Sequence, residues 1–371
     1  MTSDGVALLR ELAEVVCELG EEVGLRSFLL PYPPAAQRVL DRMVLHCMGL
    51  GLVPPKSLPE LIEWCRCTLA GDRPFEVPPA LVFPDAALVD RNGLLPTRTC
   101  LELASAGAEG GPEKTAHVLL SELAGRCGSM ERFHKSRRFL ALNPVVRHGD
   151  RFQRGWSKEI WSRVKDLYRP VPESLTVEGT LLRCGTCRLP ALLGGRRVPD
   201  QGAVSGSDTW CEGESCPHGI PMELIRTTDG VLLLGRPLRA FLSLPFRLEQ
   251  AVLADLDRAA VGYQALPNEL SAYRLQGAGL SVRQLHIHDR VQPALLAERF
   301  SGATGPVLVV VPEDLAGVVR YRNAFTQALS APEQVLLTGP GDLGARLRGE
   351  RAVGETEMRG EGSAQSDADP A

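Results

Sequence analysis

Two cysteine pairs carry the clearest chemistry in this chain. Cys184 and Cys187 stand in CGTC, and Cys211 and Cys216 stand in CEGESC after a loop spanning 188–210. Each pair fits a tight turn that offers two thiolates to one ion, and the second pair can close over the first. That is the donor set of a tetrahedral Zn²⁺ site. His218 follows closely and is an alternative fourth ligand to Cys216, although four thiolates are the simpler set. Four protein donors leave no position for water, so the expected role is structural rather than catalytic. A second constellation, His286, His288 and Asp289 in LHIHD, puts two imidazoles on one strand face. With Glu249 as a further donor these could hold a softer metal such as zinc or manganese. Ordinary strand histidines are the competing reading.

The elements that must position these groups differ in character along the chain. With 371 residues, two or three domains are expected. Leu8, Leu9, Leu12, Val15, Val16 and Leu19 recur at helical spacing. A second helix is predicted over 35–50, and Ser57 with Glu60 forms a capping box for a third, LPELIEWCRCTLA. Thr97 or Thr99 can start a fourth, the glycine-rich 107–114 reads as a flexible turn, and 115–127 reads as a fifth helix. Residues 1–125 are therefore expected to form an all-helical module without a catalytic constellation. The six remaining cysteines (Cys17, Cys47, Cys65, Cys67, Cys100 and Cys127) are scattered among helical apolar residues and read as small buried side chains.

The net charge of −4, from 41 basic and 45 acidic residues, conceals a local excess of cations. The segment 126–172 includes Arg132, Lys135, Arg137, Arg138, Arg151, Arg154 and Lys158, interleaved with Phe133, Phe139, Phe152, Trp156, Trp161 and Tyr168. Cations can pair with phosphates and aromatic faces can stack on unpaired bases, which makes this stretch a candidate nucleic-acid surface. A solvated helical face with core aromatics is the plainer alternative. The N-terminus shows no signal-peptide pattern and no apolar run reaches membrane-spanning length; with free thiols, this points to the cytoplasm.

The zinc ribbon is expected over 173–222, entered through TVEGTLLRC and carrying a polar, mobile loop over 194–209. The segment 223–340 reads as a small α/β domain. VLLLG and RAFLSLP look like short strands, 247–260 a helix, AYRLQ and VRQLHIH a hairpin, and 293–300 a helix. GPVLVVVP has the composition of a buried strand, followed by a helix over 313–329 and a strand at QVLLT. That order matches a restriction-endonuclease-like core of the PD-(D/E)xK type. Such a core places two carboxylates on the hairpin for Mg²⁺ and a lysine two residues after the second. Here Glu249 fits the position of an assisting helix acid, Arg274 falls on the first acid, and His286 and His288 fall on the second acid and the lysine. A guanidinium cannot bind a cation and imidazole is a poor partner for Mg²⁺, so the motif is degenerate. The tail, 341–371, is expected to be disordered, most clearly from 347 onward.

Several segments together resemble the endonuclease-fold protein of the three-gene prokaryotic PIWI-RE cassettes. They are YPPAAQRVLDRMVLHCMGLGLVPPKSLPELIEWCRCTLA and LLPTRTCLELA, then CGTC…WCEGESCP, then RPLRAFLSLPFRLEQAVLADL, AYRLQ, LHIHDRVQPALLAERF and VLVVVPEDL. The resemblance implies defence against invasive DNA beside a PIWI protein and a DinG-type helicase. Members of that family carry an acid where Arg274 stands and an acid-x-lysine where His286 to His288 stand, so the resemblance also implies lost cleavage. The first expectation is a DNA-binding cassette subunit with an inactive nuclease fold. The alternatives are an active nuclease using Mg²⁺ or Mn²⁺ at an altered site, and a protein-interaction scaffold.

Overall fold

The computed structural model describes residues 4–22, 25, 28, 30–69, 74–78, 81–90, 95–107, 110–147, 157–193, 209–214, 216, 221–266 and 269–348. The N-terminal helices follow the apolar periodicity. The first, α1 (Asp4–Glu22), buries Leu8, Leu9, Leu12, Val15, Val16 and Leu19 and passes straight through Gly20. Helix α2 spans Pro34–Gly49. In α3 (Leu58–Cys65) Ser57 accepts a hydrogen bond from the Glu60 amide, while the Glu60 carboxylate accepts from Lys56 N at 2.7 Å. The capping box is thus closed one residue upstream of its usual partner. Thr97 caps α4 (Arg98–Ser105), its hydroxyl oxygen 3.1 Å from Cys100 N.

Helix α5 (Gly111–Cys127) starts earlier than predicted, since Pro112 suits a first helical turn and the expected flexible turn is helical from Gly111 onward. Gly128, at φ 67°, ends it in the left-handed conformation, and Ser129 caps α6 (Met130–Leu142). Cys67 is exposed, which corrects the expectation that all six N-terminal cysteines are buried.

Three strands tie the basic segment to the C-terminal half of the chain. β1 (Val145–Arg147) and β2 (Tyr168–Pro170) flank β8 (Val231–Leu234) in one antiparallel sheet, with helix α7 (Lys158–Val164) between β1 and β2 in the chain. The cysteine-bearing sheet contains β3 (Thr176–Val177), β4 (Thr180–Cys184), β5 (Pro190–Leu193) and β6 (Thr209–Cys211) in that order. β7 (Met222–Ile225) pairs with β4.

RAFLSLP is not a strand. Arg236–Leu238 forms a helical turn, α8, that runs into a π-helical turn at Arg239–Ser243. Pro237 cannot donate to a strand ladder, and Arg239 is held by the Glu212 carboxylate and by the Leu234 carbonyl.

Helix α9 (Phe246–Arg258) precedes a five-stranded mixed sheet. β9 (Gly262–Ala265), β10 (Ala272–Gln276) and β11 (Gln284–Ile287) are antiparallel, and β12 (Val307–Val310) and β13 (Val335–Thr338) continue parallel to β11. β9 escaped the sequence reading because it is a largely exposed edge strand without apolar alternation. Helix α10 (Pro293–Glu298) connects β11 to β12. The helix predicted over 313–329 is two pieces, α11 (Glu313–Ala316) and α12 (Val319–Ala328), separated at Gly317. Residues 343–347 form α13 with Leu343 and Leu347 buried, so the chain is packed beyond 341. Residues 349–371, where the expected tail continues, lie outside the described residues.

One apolar cluster runs from α1 through α6 and takes in Leu234, Leu238, Phe246 and Leu295. A polar seam crosses the same boundary, between α4 and the segment leaving β11. The Arg98 guanidinium is 2.6 Å from both the backbone carbonyl and the carboxylate of Asp289. Glu102 accepts from Val291 N and Gln292 N, and Gln292 donates to Thr99 at 2.8 Å. Both members of the Arg98–Asp289 pair are nearly inaccessible, at 4% and 10% side-chain exposure. Removing one partner of such a pair leaves the other charge buried and uncompensated. We therefore predict that Arg98→Ala lowers unfolding stability by about 3–5 kcal/mol in urea titrations, far more than Arg66→Ala at an exposed helical pair.

Candidate metal centre and its surroundings

The four cysteine sulfurs converge. Cys184 ends β4, Cys187 lies on the turn after it, Cys211 ends β6 and Cys216 follows within the same loop. All four lie within 4.8 Å of one another, and the Cys187 and Cys211 sulfurs are 3.5 Å apart. Tetrahedral coordination at a metal–sulfur distance of about 2.3 Å needs sulfurs roughly 3.8 Å apart, so this donor set fits one metal ion. Hydrogen bonds from Cys187, Cys211 and Cys216 pull the Cys184 thiol down, and the bond to Cys184 pushes Cys187 up. His218 lies outside the described residues, as does most of the loop over 194–209. Among the described residues no other cluster of histidine, cysteine or carboxylate donors could hold a metal.

The second cysteine loop is held from two sides. A Cβ on Gly213 would sit 3.2 Å from the Cys187 sulfur and 3.4 Å from that of Cys211, so a side chain there would crowd both sulfurs. The Gly213 carbonyl accepts from Arg98 at 3.1 Å, and the Glu214 carboxylate accepts from the Arg98 amide at 2.7 Å. Glu212 is buried and pairs with Arg239 at 2.7 Å and Arg236 at 3.2 Å. Burial alone would raise the Glu212 carboxyl, but Arg239 and then Arg236 outweigh it and hold it below the usual carboxylate range. Arg236 also donates to the Pro96 carbonyl. The knuckle is thus wedged against α4 and the turn at Arg236–Ser243.

The four positions aligned with a nuclease centre do not converge. Pairing Tyr273 with Leu285 and Ala272 with His286 sets Tyr273, Leu285 and Ile287 on one face of the sheet. Arg274, His286 and His288 belong to the other. Glu249, wholly buried on α9, packs on the Tyr273 side. Tyr273 donates to its carboxylate, and Arg137 holds both carboxylate oxygens at 3.0 and 2.8 Å. Glu249 therefore cannot join the histidines on a shared ion. Arg274 is exposed. His286 lies 3.3 Å from the Glu269 carboxylate, and Phe300 makes edge-to-face contacts with both imidazoles. Asp289, the remaining acid of LHIHD, is occupied by Arg98.

The basic segment also divides. Arg137 points inward to Glu249, whereas Arg132, Lys135, Arg138 and Lys158 are exposed. Lys135 pairs with Glu131 at 2.6 Å, and Arg132 lies 3.8 Å from Glu159. Phe139, Trp161 and Tyr168 pack on each other, with centroids 6.5 and 5.5 Å apart, so they serve the core rather than offering faces to bases. Arg151, Phe152, Arg154 and Trp156 lie outside the described residues. No helix among the described residues is long and apolar enough to cross a membrane.

Sequence comparison adds a family. The family model for the pPIWI_RE three-gene island domain Y matches residues 8–147, from α1 through β1. That match supports membership of the pPIWI_RE island family. Domain Y thus includes α6 and β1 as well as the first five helices. Its α4 supplies the Arg98 and Glu102 side chains that grip the rest of the chain. Neither the curated proteins nor the solved structures contain a match to the chain.

The buried histidines give a pH-dependent signature. Burial, reinforced by Arg299, lowers His288 well below its ordinary 6.5, and burial lowers His286. A histidine depressed in the folded state stabilises fully above its unfolded value, and that contribution is lost as pH falls below it, because the unfolded chain then binds more protons. The urea midpoint should therefore drop between pH 7.5 and 5.5. His288→Gln should flatten that slope, and a slope unchanged by the substitution would assign the drop to other groups.

Proposed function

We propose that this chain is the nucleic-acid-binding, non-cleaving subunit of its pPIWI-RE island. In this reading the C-terminal order of helix, three antiparallel strands, helix and parallel strand is a degenerate restriction-endonuclease-like core. The observation that carries the proposal is the fate of Glu249. Its carboxylate is spent on Arg137 and Tyr273, on the sheet face opposite His286 and His288. What remains on the hairpin is Arg274 and two imidazoles, a set unsuited to Mg²⁺. Outward-facing Arg138 and Lys158 leave cations free for phosphates.

In the same reading the four cysteines hold a structural Zn²⁺. Thiolates suit that ion, and a closed set of four stabilises a fold without supplying a reactive water. The island's PIWI protein and a DinG-type helicase are the proposed partners, and defence against invasive DNA the proposed setting.

Binding and cleavage assays on DNA test this. The purified protein should bind DNA with an affinity that falls steeply as salt rises. It should leave the DNA intact with either Mg²⁺ or Mn²⁺. Metal-dependent cutting that disappears in His286→Ala would overturn the non-cleaving reading, and a salt slope near zero would remove the nucleic-acid claim.

A further inference from the structure

A large concavity adjoins the cysteine knuckle. It is a cleft of about 830 Å³ whose walls come from three separate parts of the chain. α6 contributes Lys135 and Arg138, the knuckle contributes Arg183 and Arg188, and the start of α9 contributes Arg247. Among the described residues Glu223 is its one acidic lining residue, and it is paired with Arg183 at 3.0 Å. Lys135 is paired with Glu131. Arg138, Arg188 and Arg247 are exposed, and none has a side-chain hydrogen bond or ion pair among the described residues. Three unneutralised guanidinium groups, brought together from distant stretches of a chain with net charge −4, form a concentrated positive field.

Backbone conformation supplies an independent observation. Arg188 sits at φ 63°, directly after Cys187, with its amide bonded to the Cys184 carbonyl at 3.0 Å. The left-handed region costs a non-glycine residue roughly 1–2 kcal/mol, and glycine would occupy the same turn without that cost. The knuckle thus keeps an arginine where its own geometry favours glycine, and that side chain lines the cleft. The two aromatic rings of the lining, Phe139 and Phe246, are buried at 8% and 3% exposure, so they do not present faces on which single-stranded bases could stack.

We infer that this cleft is a seat for the sugar–phosphate backbone of duplex DNA, with Arg138, Arg188 and Arg247 as the phosphate-binding residues. The inference rests on the nucleic-acid reading above and adds the place, the residues and the form of the ligand. Contacts confined to phosphates give binding that is strongly salt-dependent and nearly indifferent to sequence. The metal knuckle then has a second use, because it fixes Arg188 opposite α6.

The test uses the full-length, metal-loaded protein and fluorescent oligonucleotides of equal length: duplex DNA of two unrelated sequences, single-stranded DNA and duplex RNA. Both DNA duplexes should bind alike and more tightly than the single strand or the RNA. Arg188→Ala with Arg247→Ala should weaken duplex DNA binding tenfold or more and reduce the log–log salt slope by about 2. Arg188→Gly relieves the backbone strain, so it should be at least as stable as the parent while still losing affinity and about 1 unit of slope. A Lys56→Ala control, at an exposed lysine outside the cleft, should change binding less than either cleft variant. If the parent binds duplex DNA and the cleft variants bind equally well, the cleft is wrong while the broader reading survives. Preference for single-stranded DNA or for RNA would overturn the assignment of ligand. No binding to any of the four probes would remove both readings together.

Discussion

Arg98 is a buried cation that the fold must satisfy, and the ways in which it is satisfied organise the molecule. Its guanidinium reaches Asp289 at the exit of β11 and the Gly213 carbonyl in the cysteine loop, while its own amide is capped by Glu214. One residue at the first turn of α4 therefore touches domain Y, the knuckle and the mixed sheet at once. A charge with so little access to water is tolerated only when its donors are filled, so displacement of any one of the three parts exposes the others to an uncompensated ion. Surrounding pairs extend the same constraint. Glu102 caps the amides of Val291 and Gln292, and Glu113 pairs with Arg290 at 2.7 Å.

This arrangement joins separate sequence segments in space. PTRTCLELA, CEGESC, RPLRAFLS and HIHDRVQP are far apart in the chain, yet their polar residues meet at one junction through Arg98, Glu212, Arg236, Arg239 and Asp289. Charged residues in those segments that could be taken for catalytic or metal-binding groups are largely consumed by one another. Asp289 is the clearest case within them, and Glu249, just beyond RPLRAFLS, is spent in the same way on Arg137. Each is an acid near the hairpin, and each is bound to an arginine of the N-terminal 147 residues.

Much of this was legible in advance, for identifiable reasons. Helical periodicity and side-chain caps are local, so the helices starting after Ser57 and Thr97 could be read directly. Close cysteine pairs are equally local, and the four sulfurs do converge. The buried alternation of β10 and the continuous apolar run of β12 marked the sheet. What could not be read was long-range compensation. Nothing near Glu249 in the chain announces Arg137, and the Phe139, Trp161 and Tyr168 cluster looks in sequence like a stacking surface. The helical turn at Arg236–Ser243 was missed because its apolar residues alternate like a strand, while the buried Arg239–Glu212 pair that fixes it involves a partner in the cysteine loop. The face of the sheet on which each hairpin residue lies depends on register, which only the assembled sheet reveals.

The cysteine knuckle is a wedge between domain Y and the C-terminal sheet, coupled to both through Arg98. Hydrogen–deuterium exchange of the full-length protein, with and without a chelator strong enough to strip a four-cysteine site, tests it most directly. Metal removal should accelerate exchange at residues 98–105 and 289–292 along with the knuckle strands. Acceleration confined to residues 180–225, with α4 and the exit of β11 unchanged, would contradict it.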